Sequence, residues 1–137
     1  MAKTKPFETS SPSVDIGRVV QDNHRQILGM FDLYLSSPPD SRQPIVEQIL
    51  NQLASHLEME ENLLFQKVRK SGPEGRKLIE DAEVEHEEFK AMIQTLQQSE
   101  GDDDQALDEC FEDMMQTVRA HFVVEERDLL PLTERSL

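Results

Sequence analysis

Apolar residues recur at spacings of three and four through four long stretches, separated by breaks rich in proline and glycine, the pattern of amphipathic helices. In the first, Ile16, Val20, Ile27, Phe31 and Tyr34 form one stripe, with Ser13 as the expected N-cap and Ser36-Ser37-Pro38-Pro39-Asp40 ending the helix near Leu35. The second is expected from about Ser41 to Arg69, with Pro44 tolerated in its first turn and Ile45, Ile49, Leu53, Leu63 and Leu64 on the inner face. Ser71-Gly72-Pro73 then reverses the chain, and Ile79, Ala82, Phe89, Ile93 and Leu96 mark a third helix from about Glu74 to Gln98. Gly101 and the acidic run Asp102 to Asp104 form the last loop and cap a fourth helix, whose stripe is Leu107, Cys110 or Phe111, Met114, Val118 and Leu129, ending at Pro131. Four helices of about 22 to 29 residues joined by short loops predict an all-α fold, an antiparallel up-down-up-down four-helix bundle. Residues 1–12, polar and broken by Pro6 and Pro12, read either as an arm in which Phe7 docks on the bundle or as a disordered tail, leaving 13–137 as the domain.

The inner stripes carry polar residues that such stripes ordinarily exclude. His56-Leu57-Glu58-Met59-Glu60-Glu61, followed by Leu64-Phe65, repeats as His121-Phe122-Val123-Val124-Glu125-Glu126, followed by Leu129-Leu130. Residues four apart in a helix lie about 40° apart and about 6 Å along the axis, so His56 with Glu60, and His121 with Glu125, project from one face. Glu58 and Glu61, about 200° and 140° from His56, are expected to point to water, as is Glu126 in the second copy. A second duplication, His24-Arg25-Gln26-Ile27-Leu28-Gly29-Met30-Phe31 against His86-Glu87-Glu88-Phe89-Lys90-Ala91-Met92-Ile93, supplies the remaining two of the four histidines. Measured from the connecting loops, all four reach one layer of an up-down-up-down bundle within about a turn.

Taken singly, these residues have ordinary explanations. A lone histidine on an apolar stripe is most often a satisfied core or boundary residue, and a lone HxxxE is common i,i+4 helix chemistry. Taken as a set, four imidazoles and two carboxylates at one level cannot sit dry and unpaired without a heavy desolvation cost, and a pair of metal ions removes it. Two cations with two histidines each, bridged by Glu60 and Glu125, would keep positions for an oxo or hydroxo bridge and an exogenous ligand. Mixed nitrogen and oxygen donors favour iron or manganese over a closed structural zinc site, which more often uses cysteine.

Composition narrows the partners. With 28 acidic against 14 basic residues the net charge is -14, a surface that repels nucleic acid and anionic lipid, and the simplest account of the excess acid is solvated helix faces. No apolar run approaches the ~20 residues of a membrane span, the start leads into no secretory apolar region, and the single cysteine, Cys110, cannot form an internal disulfide. A soluble cytoplasmic protein is expected; its oligomeric state is not legible. Cys110, about 16 Å along the helix from His121, reads as a packing residue.

Nearly the whole chain, from about Val14 to Pro131, resembles the hemerythrin-like proteins, in particular those with an HHE cation-binding domain, whose two HxxxE motifs are similar to the stretches beginning at His56 and His121. The resemblance implies a four-helix bundle around a non-haem di-iron centre, with His24 and His56 on one iron, His86 and His121 on the other, and Glu60 and Glu125 as bridges. The chain departs from the oxygen-carrying hemerythrins: Lys90 stands where they have a second histidine on the third helix, and Glu125 at plus four replaces their aspartate at plus five. It is closer to the four-histidine, two-glutamate members, which include iron-sulfur-cluster repair proteins, although the cysteine-bearing N-terminal domain usual in those has no counterpart here. The expected function is a protein with two iron ions, ahead of manganese or zinc, that binds or reacts with oxygen, nitric oxide or peroxide in sensing, scavenging or detoxification. As an enzyme it would be a di-iron oxidoreductase with a reductant of unknown identity; the alternatives are an iron store or donor, an oxygen-binding hemerythrin and a purely structural bundle. Lys90 either snorkels to the surface or points at the open iron, and Glu83, one turn before His86, is an alternative ligand.

Overall fold

The computed structural model describes residues 15–98 and 104–135, with the side chains of Asp104 and Arg135 left out. The 1–12 arm with Phe7, the Ser13 cap and the Gly101 to Asp103 loop lie outside the described residues. Within them the chain is all-α, four long helices and no strand. Helix α1 is Ile16–Ser36. Helix α2 begins as Arg42–Met59, behind a 3-10 turn at Pro39–Ser41, and runs on through a π-helical turn, Glu60–Leu64, into Phe65–Arg69. Helix α3 is Pro73–Gln98, and α4 runs from Asp104–Val124 through a second π turn, Glu125–Leu129, into Leu130–Arg135. Each helix packs against its neighbours in the chain, and α1 against α4.

Most expected stripes are buried as read, and Phe111 rather than Cys110 takes the core position on α4. Three expectations need correction. The α1 cap is Asp15, whose carboxylate accepts the Arg18 amide at 3.1 Å, because the helix starts two residues later than the Ser13 reading requires. Leu63 is not on the inner face but 47% exposed. Its helix takes the wider π turn there, with the Phe65 amide bonded five residues back to Glu60, so Leu63 swings outward while Leu64 and Phe65 both enter the core. Helix α4 does not stop at Pro131: the proline falls in the first turn after the second π turn, where its missing N–H and its ring are tolerated, and the helix continues to Arg135.

The buried apolar residues fall into two clusters. One is built on Ile27, Phe31, Tyr34, Ile49, Leu53, Leu57, Phe89, Phe111, Val118 and Phe122, the other on Val20, Leu64, Phe65, Val68, Ile79, Leu129 and Leu132. Along each helix the six polar residues stand between them: His24 between Val20 and Ile27, His56 and Glu60 between Leu53 and Leu64, His86 between Ala82 and Phe89, His121 and Glu125 between Val118 and Leu129.

The α2–α3 reversal fixes how those two helices meet. Gly72 sits at φ 126°, a conformation that strains any other residue, and a Cβ on Gly75 would overlap the Val68 carbonyl oxygen and Ser71 Oγ. Arg69 and Glu83 pair across the same end. Gly75→Ala is expected to cost about 1–3 kcal/mol, since rigid backbone rather than a movable side chain blocks the methyl. A lowered unfolding midpoint in denaturant checks it, and Gly29→Ala, in the exposed interior of α1 where a Cβ meets nothing, is the contrasting control, expected to raise stability by about 0.5–1 kcal/mol.

Candidate metal centre

All six sequence-derived residues converge. His24, His56, Glu60 and Glu125 form one tetrad and Glu60, His86, His121 and Glu125 a second, each with one donor atom per residue and all donors of a tetrad within 4.8 Å of one another. Every one of the six is at most 3% exposed.

The carboxylates divide their oxygens between the tetrads. Glu60 Oε2 lies 2.7 Å from His56 Nε2 and 3.2 Å from His24 Nε2, whereas Glu60 Oε1 lies 3.1 Å from His86 Nε2. Glu125 mirrors this, Oε1 lying 3.0 Å from His24 Nε2 and Oε2 2.7 Å from His121 Nε2 and 3.6 Å from His86 Nε2. Yet His56 Nε2, His86 Nε2, His121 Nε2, Glu60 Oε1 and Glu125 Oε2 are buried and lack hydrogen-bond geometry to any described partner. Atoms this close and still unpaired point toward common centres rather than at each other. Bringing six such groups out of water costs several kcal/mol per ion, and donors converging on two points fit a pair of cations shared by two bridging carboxylates.

Behind the inward nitrogens lies a ring of carboxylates that the helical wheel did not foresee. Glu61 Oε2 accepts from His86 Nδ1 at 2.9 Å, Glu126 Oε2 from His24 Nδ1 at 2.7 Å, and Glu85 Oε1 from His121 Nδ1 at 2.5 Å. Glu61 and Glu126 therefore do not simply face water, as the wheel suggested; only Glu58 does. The wheel treats everything off the apolar stripe as solvent, but a helix in a bundle has a neighbour on each side, and a residue about 140° round reaches it. A clue was present in the sequence, since the second glutamate recurs in both HxxxE copies. With Nδ1–H of His24, His86 and His121 donating outward, the Nε2 lone pair of these three rings is free to face the centre, the tautomer that a metal ligand needs. Phe122, also unforeseen, stacks on the His24 ring at 3.7 Å between centroids and 9° between planes.

Lys90 and Glu83 stand outside both tetrads. Lys90 snorkels to the surface, its ammonium 2.9 Å from Glu61 Oε1 and 3.4 Å from Glu87, and Glu83 is engaged with Arg69. Two surface grooves end at the outer carboxylates: one of about 600 Å³ is lined by Glu126 with Arg18 and Arg25, another of about 380 Å³ by Glu61 with Lys90.

Without metal, protons take the place of the cations. Burial opposes charge on His24 and His86, but the carboxylates of Glu125 and Glu60 outweigh it and raise the rings from 6.5 to about 9 and about 10. His121 is raised for the same reason by Glu125 and Glu85, and Glu60, despite burial, is held well below 4.5 by His24, His56 and His86. A raised histidine contributes stability in full below its unfolded value and loses it as pH rises through its folded value; the lowered Glu60 contributes above 4.5 and fails as pH falls. Metal-stripped protein should therefore lose thermal stability between about pH 7 and pH 10, while metal-loaded protein, whose ligands carry no protons to lose, should not. Melting curves across that range with chelator or with metal decide it.

The outer carboxylates make a separate prediction. Glu61→Gln and Glu126→Gln should each weaken metal binding about 10–100-fold, measured by chelator competition, while exposed Glu58→Gln leaves it unchanged.

A family model described as hemerythrin HHE cation binding domain matches residues 15–133. Neither the curated proteins nor the solved structures gave a significant match. No described helix is long and apolar enough to cross a membrane.

Proposed function

The chain belongs to the hemerythrin HHE cation-binding domain family, and from that premise we propose that it is a non-haem di-iron protein reacting with a small neutral ligand, oxygen, nitric oxide or hydrogen peroxide, in sensing, scavenging or detoxification. His24 and His56 would hold one ion and His86 and His121 the other, with Glu60 and Glu125 shared between them. The observation that carries this reading is the split of each carboxylate, one oxygen toward each tetrad. The donor set is nitrogen and oxygen without thiolate, since Cys110 belongs to neither tetrad, and this suits iron better than a closed structural zinc site. When bound, the iron pair supplies redox chemistry and open coordination positions.

The chain's own residues set what arrives there. Apolar clusters on both sides of the buried layer exclude bulk water and disfavour charged reactants, which would lose their hydration on entry, whereas a small neutral molecule loses little. The surface charge of -14 does not repel neutral ligands. Lys90, turned to Glu61 and Glu87, leaves two imidazoles per ion. Such a site is more open than one with a fifth histidine, which favours reaction over reversible carriage. Turnover requires an external electron donor.

Protein purified without added metal is expected to contain about two irons per chain, and the reduced protein mixed with oxygen should oxidise irreversibly. Stoichiometric zinc or no metal would overturn the di-iron reading. An oxygen adduct that dissociates under vacuum would make the protein a carrier, and iron surrendered to a mild chelator without reaction would make it a store or donor.

A further inference from the structure

The ring of outer carboxylates has one gap. Passing round the bundle, Glu61 on α2 holds His86 on α3, Glu85 on α3 holds His121 on α4, and Glu126 on α4 holds His24 on α1. The fourth link would run from α1 to His56 on α2. In the duplicated sequence His24 corresponds to His86, so the residue matching Glu85 is Asn23. Its side-chain amide donates instead to the Val19 carbonyl of its own helix at 3.1 Å. His56 Nδ1 is left buried, and no described group hydrogen-bonds to it. The rings of His24 and Phe122 pack against His56 edge-on, which restrains its plane without accepting its proton.

We propose that the two ion positions are inequivalent: the position of His86 and His121 fills first and more tightly, and Asn23 is why the position of His24 and His56 fills second. The proposal rests on the two-ion reading above. The bridging carboxylates contribute one oxygen to each position and so do not discriminate between them. The difference lies in the imidazoles. A carboxylate accepting Nδ1–H fixes the ring and raises the basicity of Nε2, and losing such a partner typically weakens metal binding about 10–100-fold. Both histidines of one position have that partner; at the other only His24 does. The centre then assembles in order, passing through a chain that holds a single ion, and the ion at His24 and His56 exchanges more readily. Asn23 and Glu85 act through the histidines, as positioning residues.

The full chain, stripped of metal, is titrated with Mn2+ in the absence of oxygen, with bound metal measured by equilibrium dialysis and electron paramagnetic resonance separating isolated ions from coupled pairs. Up to one equivalent the unaltered protein should show the isolated-ion signal, and the coupled pair should grow only with the second equivalent. Asn23→Glu, which restores the missing carboxylate, should tighten the second step about 10–100-fold and bring coupled pairs in below one equivalent. Glu85→Gln should weaken the first step by a similar factor and draw the two steps together, whereas Asn23→Ala keeps the original order. Coupled pairs below one equivalent in the unaltered protein would overturn the proposal, as would an unchanged order in Glu85→Gln, which decides the matter even if Asn23→Glu misfolds. Fewer than two Mn2+ per chain at saturation would instead refute the two-ion reading, whatever the order of filling.

Discussion

Two carboxylates and four imidazoles lie in one layer between two apolar clusters, and the rest of the structure answers to the cost of keeping them there. Ordinary hydrogen bonding among the six leaves five inward atoms unsatisfied, so the layer is stable only if something cationic sits among its donors. Protons on His24 and His86 meet that need partly, and a metal ion held by the same donors would meet it as well. Folding and cation binding are thereby linked through the same atoms, with the apolar clusters above and below supplying the hydrophobic drive that holds the layer dry.

Both π turns begin at the glutamate of an HxxxE pair, Glu60 in one copy and Glu125 in the other. A π turn interrupts regular i,i+4 bonding and is locally less favourable than α-helix, so its appearance at the same motif position twice points to a geometric demand of the site. Its effect on packing is plain in α2. The extra residue carries Leu63 out to solvent and brings Leu64 and Phe65 side by side into the core next to the layer of histidines and glutamates. In α4 Leu129 and Leu130 do the same, and the helix then passes through Pro131 without ending.

The outer carboxylates tie the four helices together at one site. Each of the three bonds crosses from one helix to the next, so a histidine on one helix is oriented by a residue on another, and Lys90 steadies Glu61 from the surface. These contacts are partly exposed at the carboxylate and buried at the ring, placing them at the rim of grooves that otherwise stop short of the layer.

Helix number, stripes and the six-residue constellation were determined by the sequence, because each depends on periodicity within a single helix: His56 with Glu60 and His121 with Glu125 share a face whatever surrounds them. The duplication and a common height along the bundle place His24 and His86 in the same layer. Tertiary structure alone decided what depends on two helices at once. The pairings of Glu61, Glu126 and Glu85 with histidines of neighbouring helices required knowing which flank each helix turns to its neighbour, which an isolated wheel does not contain. The π turns, and with them the exposure of Leu63 and the passage through Pro131, depart from the regular α periodicity that a sequence stripe assumes. The lone Nδ1 of His56 is of the same kind: Asn23 is visible in the sequence, but its consequence appears only where α1 meets α2.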